Sequence, residues 1–71
     1  MIAADRMEIL RLLAQVSELA PDVRFGQLIA NLSCLAMGPQ EGAIWDMEEA
    51  DLLRALKQHL ADLSARATEV A

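Results

Sequence analysis

Cysteine and aromatic residues are almost missing from this chain: 71 residues hold one Cys, one Trp, one Phe and no Tyr. A single cysteine closes no internal disulfide, and without a second thiol or a histidine cluster it builds no structural zinc site. Cys34 is read as a packed thiol on a helix rather than a nucleophile. With two prolines and three glycines there are few places to turn, and no alternating run is long enough for a strand. Apolar runs are short as well. Charges interrupt every window before the roughly 20 residues that a membrane span needs. The N-terminus shows no basic segment followed by an apolar one, so no secretory signal is expected and the cytoplasm is the expected compartment. Positive charge is scarce, with six Lys and Arg against eleven Asp and Glu and a formal net charge of −5. That is the wrong sign for holding a phosphate backbone unaided.

What remains is aliphatic. Hydrophobic residues make up 55% of the chain and the mean hydropathy is +0.26, so a core has to come from Leu, Ile, Val, Met and Ala, a composition that favours helices. One domain, 1–71, is expected. A domain of this size buries only about 60% of the surface that its unfolded chain exposes, so sharing surface with a second copy or another protein would stabilise it.

Periodicity divides the chain into three helices. The first covers about Ala4 to Ala20, with Ile9, Leu12, Leu13, Val16, Leu19 and Ala20 on one face and Glu8, Arg11, Gln15 and Glu18 opposite. Asp5 and Glu8 have the spacing of a capping box, and the helix can extend back to Ile2. A weaker stripe, Ala3, Met7, Leu10 and Ala14, forms a second flank that is either core or a contact surface. Pro21-Asp22 makes a corner, where Asp22 can cap the next helix.

The second helix, Arg24 to Met37, carries the pattern of a central helix. Phe25, Leu28, Ile29, Leu32, Leu35 and Ala36 form one apolar stripe, and Gly26, Ala30, Ser33, Cys34 and Met37 a side of small or soft residues. Only Arg24, Gln27 and Asn31 remain as a narrow polar ridge. Gly38-Pro39 stops the helix with a left-handed cap residue and a residue that cannot continue the ladder. A short connection, Gln40 to Trp45, leads to Asp46-Met47-Glu48-Glu49, a second capping box with carboxylates at the positive end of the helix dipole. The third helix buries Leu52, Leu53, Leu56, Leu60, Leu63, Ala67 and Val70, turns Asp51, Arg54, Gln58, Asp62, Ala65 and Glu69 away, and frays after Ser64.

Several residues admit two readings. Arg24 can pair with Asp46 or Glu49 and tie two caps together, or it can join Gln27 and Asn31 in a directional strip for a partner. Gly26 costs about 1 kcal/mol against alanine inside a helix. It is explained if Gly26, Ala30 and Cys34 let two backbones approach, within the chain or between two copies. Trp45 is a hydrophobic staple onto Ala50 or an interface anchor flanked by Ile44 and Met47. His59 lies at the rim of a stripe with no ligand or triad spacing near it. The carboxylates Asp46, Glu48, Glu49 and Asp51 fit capping and dipole roles better than a metal or an acid-base pair. Without a phosphate loop, an EF-hand pattern or a credible nucleophile, no cofactor, no metal and no catalysis are expected.

The stretches Pro21-Asp22-Val23-Arg24-Phe25-Gly26-Gln27-Leu28-Ile29-Ala30-Asn31-Leu32 and Trp45-Asp46-Met47-Glu48-Glu49-Ala50-Asp51-Leu52-Leu53 resemble a group of small uncharacterised bacterial and phage-associated helical proteins. The shared pattern is Arg-x-Gly-Gln-Leu-Ile-x-Asn, then a short connection, an aromatic and an acidic-capped Leu-rich helix. The resemblance covers about a third of the chain and implies no activity. It implies that Arg24, Gln27, Asn31 and the Trp45 segment belong to one site.

The expected protein is an all-α three-helix bundle with helix two central, completed by oligomerisation. It acts as a non-catalytic interaction module, a small accessory, immunity or antitoxin-like protein docking on a larger bacterial protein. Partner binding falls to Arg24, Gln27, Asn31 and Trp45; self-association into a homodimer falls to Met7, Leu10, Gly26, Ala30, Cys34 and Met37. The alternative is a dimeric regulator of helix-turn-helix type, for which the corner at Pro21-Asp22 speaks, while the scattered Arg54, Lys57 and Arg66 and the negative charge speak against nucleic acid as a partner.

Overall fold

The computed structural model describes residues 3–70, with side chains described through Arg66. Ala67 and Val70 of the expected core stripe, Glu69 opposite it, and the extension of the first helix to Ile2 lie outside the described side chains and residues. Helices α1 (Ala4–Leu19), α2 (Phe25–Met37), α3 (Ala43–Asp46) and α4 (Glu49–Val70) pack together, and there is no strand among the described residues. The all-α expectation holds at this level. The connection before Asp46 is more than a loop, because it winds into the single turn of α3, and α4 stays helical past Ser64 to Val70.

The centre of the molecule is α4, not helix two. Both α1 and α2 pack chiefly against α4, and α3 rests on α2. Turned at 100° per residue, the buried and half-buried apolar positions of α4, from Ala55 through Leu52, Leu63, Leu56 and Leu60 to Leu53, sweep an arc of about 160°. That is wide enough to receive two helices. The core joins Ile9, Leu12 and Val16 of α1, Leu28 and Leu32 of α2, and Ala55 and Leu56 of α4, with Leu13, Ala36, Leu52, Leu53, Leu60 and Leu63 packed around them. Val16, Leu32 and Leu56, one from each long helix, are fully enclosed. Burying a side chain of this size stabilises by about 1.5–3 kcal/mol.

Helix two has a broad solvent face, contrary to its composition. Gly26, Gln27, Ala30, Asn31, Cys34 and Leu35 are exposed, as is Phe25 at 60%. Phe25 points the same way as Leu32 and Ala36, but it stands in the first turn, where the core has ended. Leu19, assigned to the core face of α1, is exposed for the same reason at that helix's last residue.

The turns rest on backbone hydrogen bonds more than on the expected caps. Asp5 and Glu8 do not form a capping box: Ala3 is the N-cap of α1 without a side-chain bond, and Glu8 pairs with Arg11 instead. At the corner, Val23 N–H donates to the Ala20 carbonyl at 3.2 Å, with Pro21 at the second position of the turn, which its fixed φ suits. Asp22 does not cap α2, whose N-cap is Arg24. At the other end Gly38 N–H donates to the Cys34 carbonyl at 2.8 Å. Its φ of 83° and ψ of 172° place Gly38 in the extended mirror region that only glycine occupies readily, not in the left-handed helical one. For α4, the Glu48 carbonyl accepts the first helical bond from Leu52 N–H at 3.1 Å, and the Asp51 carboxylate accepts from Glu48 N–H at 3.4 Å. Capping thus falls on Glu48 and Asp51, two residues beyond the expected Asp46.

Two exposed arginines bridge the helices. Arg6 of α1 binds the Glu49 carboxylate at the start of α4, its Nε donating at 3.0 Å. Arg54 of α4 donates from Nη2 to the free Ala36 carbonyl in the last turn of α2 at 3.2 Å and to Asp51 at 3.4 Å. Last-turn carbonyls have no helical partner, so a cation supplied by a neighbouring helix satisfies one of them and complements the dipole.

Candidate functional site

The local sequence pushes Trp45 outward. After Gly38-Pro39 ends α2, the chain turns on Gly42, whose φ of 77° and ψ of 3° match the third position of a type II turn, with Ala43 N–H donating to the Gln40 carbonyl at 3.3 Å. One helical turn follows, closed by donation from Trp45 and Asp46 N–H to the Gly42 carbonyl at 3.0 Å. Within so short a helix only one position faces inward. Ala43 takes it and is buried against α2 beside Ser33. Ser33, the one buried polar residue among those described, is satisfied by donating its hydroxyl to the Ala30 carbonyl at 2.9 Å. Ile44 and Trp45 are left in water, Trp45 at 90% exposure. The staple onto Ala50 is therefore not formed; Ala50 is itself exposed. An open depression of about 200 Å³ lies between α2 and α3, lined by Ser33, Gln40, Gly42, Ala43, Ile44 and Trp45.

Acidic residues flank this segment along the chain. No lysine or arginine stands between Arg24 and Arg54, while Glu41, Asp46, Glu48, Glu49 and Asp51 fall in that interval. Glu49 is held by Arg6 and Asp51 by Arg54. Glu41, Asp46 and Glu48 are exposed and have no ion pair among the described residues. Glu49 being engaged elsewhere, the expected pairing of Arg24 with Asp46 or Glu49 does not occur, and Arg24 projects from the start of α2.

The polar ridge exists as a surface. Gln27 Nε2 donates to Asn31 Oδ1 at 2.8 Å, an i,i+4 pair on one helix face, and Arg24 is exposed beside them. The ridge is separate from the tryptophan: α3 covers the Ser33 side of α2, and Asn31 lies two residues and so about 160° around the helix from Ser33. The resemblance implies one site for these residues; the fold sets them on two sides of α2.

Of the residues assigned to self-association, Met7 and Leu10 are exposed and form, with Ala14, an unburied stripe along α1, so this second flank is not core. Gly26, Ala30 and Cys34 are exposed and Met37 is half-buried. The intrachain reading of the small-residue row fails, because a Cβ added at Gly26 would meet nothing within 4 Å. Cys34 is likewise not a packed thiol but an exposed one. His59 is half-buried and falls within the α4 arc, between Ala55 and Leu52.

Two contributors were missed. Ala55 is buried at the α4 core but carries too little hydrophobic signal to register in a leucine-rich stripe. Arg54 was assigned to the solvent side, and nothing in sequence spacing points it at a carbonyl eighteen residues away.

No group of three or more His, Cys, Asp or Glu able to hold a metal ion occurs among the described residues, and none of their helices is long and apolar enough to cross a membrane. No protein-family model, no curated protein and no solved structure matches the chain.

Proposed function

We propose that this protein is a non-catalytic interaction module that docks on a larger protein, with Trp45 as its principal anchor. The observation that carries the reading is the 90% exposure of the one tryptophan, presented with Ile44 on a turn of helix that Ala43 and Gly42 fix in place. Tryptophan dominates binding energy when a partner covers it, and holding it on a rigid element lowers the entropy lost on association. Arg24, Gln27 and Asn31 form a second, polar contact strip on the other side of α2, and the Met7 and Leu10 stripe of α1 serves self-association into a homodimer. An accessory, immunity or antitoxin-like role fits a small acidic chain with these surfaces. The helix-turn-helix alternative is weaker, since α2 offers Arg24 as its only cation to a DNA groove.

A photo-crosslinking amino acid placed at the exposed position 44, beside an intact Trp45, with position 62 on the exposed side of α4 as control, tests the reading in cells expressing the full chain. One discrete adduct from position 44, lost in Trp45→Ala, and none from position 62 is the expected result. Equal ladders from both positions refute it, and so does turnover of generic hydrolase substrates by the isolated chain that disappears in Arg24→Ala.

A further inference from the structure

We infer that the partner presents an arginine-bearing, positively charged segment to the α3 corner, where a guanidinium stacks on the Trp45 indole and the exposed acids that flank it in the chain, Glu41, Asp46 and Glu48, supply the complementary charge. This rests on the docking reading above and names the chemistry of its partner. Both faces of the indole are open at 90% exposure, and tryptophan is the best of the aromatic acceptors for a cation over its ring, arginine the commoner donor.

Charge decides among the occupants. A neutral apolar partner would leave Glu41, Asp46 and Glu48, three exposed carboxylates with no ion pair among the described residues, without a counter-charge. A second copy docking its own α3 corner here would set Glu41, Asp46 and Glu48 against the same three carboxylates, and like charges across a symmetric contact repel. Anionic membranes and nucleic acids fail for the same reason. A cationic segment meets the corner with the opposite sign, and the two cations of this chain that reach the start of α4, Arg6 and Arg54, are engaged by Glu49 and Asp51. Planar arginine matches both partners at once, stacking on the ring and forking onto a carboxylate.

The test uses the full chain and three peptides equal in length and leucine content, carrying two Arg, two Glu or two Gln. Trp45 emission and the backbone amide shifts of residues 41–48 are followed at low ionic strength. The arginine peptide is expected to quench Trp45 and shift those amides, binding at least tenfold tighter than the other two. Trp45→Ala and the triple variant Glu41→Gln, Asp46→Asn, Glu48→Gln should each weaken it at least tenfold. A control triple of equal charge change, Glu18→Gln, Asp22→Asn, Asp62→Asn, should weaken it less than threefold. All these positions are exposed, and unchanged far-UV circular dichroism verifies that the variants fold. Equal weakening by the two triples means diffuse attraction by net charge and overturns the inference. If the glutamine peptide perturbs Trp45 as strongly as the arginine one, the docking surface stands and its cationic partner falls. If no peptide perturbs Trp45, both fall.

Discussion

A single ion pair on α1 makes a clean test of local electrostatics. Arg11 donates to Glu8 through Nε at 3.1 Å and through Nη2. That hydrogen bond from Arg11 is the chief reason why the Glu8 carboxyl lies below the ordinary glutamate value, while Arg11 is raised by the same bond. Since the folded-state value of Glu8 is the lower one, the pair's contribution is complete above the unfolded-chain value and is lost as pH falls through the folded one. A carbon-detected NMR titration should place Glu8 below the ordinary glutamate range and return it to that range in Arg11→Ala. Two other single residues separate core from surface. Leu56 is fully enclosed, so Leu56→Ala should cost about 2–5 kcal/mol. That is a large share of the roughly 0.05–0.15 kcal/mol per residue by which domains are stable, and the urea midpoint should drop steeply. Trp45→Ala, though it removes the largest side chain of all, should shift stability by no more than about 0.5 kcal/mol.

Among the elements, α2 departs furthest from its sequence pattern. Its apolar residues surround the helix, yet burial is confined to Leu28, Leu32 and Ser33 with a half-buried margin at Ile29, Ala36 and Met37. Two glycines at its ends show opposite constraints. Gly26 has open space around it in helical backbone, so Gly26→Ala should raise stability by about 0.5 kcal/mol through reduced unfolded-state entropy. Gly38 has φ 83° in a region that side chains avoid, and Gly38→Ala should lower stability by about 1–3 kcal/mol. Paired chemical denaturation curves for the two variants check both signs. Had Gly26 been the site of a close helix approach, its substitution would have been the costly one.

Taken whole, the molecule is thin and loosely gathered. Its Cα radius of gyration is 12.4 Å and its extents are 38 × 31 × 18 Å, against about 11 Å for the radius of a compact chain of this length. With both flanking helices laid on α4, each keeps an outer side in water, which is why Met7, Leu10 and Leu35 are exposed, in addition to Phe25 beyond the end of the core and Ile44 and Trp45 on α3. Such a quantity of exposed apolar surface on so small a protein favours association. Light scattering on chromatographed protein across a dilution series is expected to give a dimer that weakens on dilution, and Met7→Glu with Leu10→Glu should give a monomer with Trp45 emission unchanged. A monomer at every concentration removes the α1 stripe as a self-association face.

Three features were legible in the residues themselves: helical class, the positions of the breaks at Pro21 and Gly38-Pro39, and the inward stripes of α1 and α4 around Ile9, Leu12, Val16 and Leu56. These follow from local chemistry, in that proline and glycine interrupt a helix wherever it packs and a 3.6-residue period sets which side chains share a face. Periodicity says which residues point together but not what stands opposite them, so only the tertiary structure decided that α4 and not α2 lies at the centre. It alone decided that Phe25 and Leu19 overrun the core, that Gly26, Ala30 and Cys34 face water, and that Trp45 and the Arg24, Gln27, Asn31 ridge lie on different sides of one helix. The physical reason is that burial depends on the neighbours a face meets, and in this chain a long helix with a 160° apolar arc left room at the centre for itself alone.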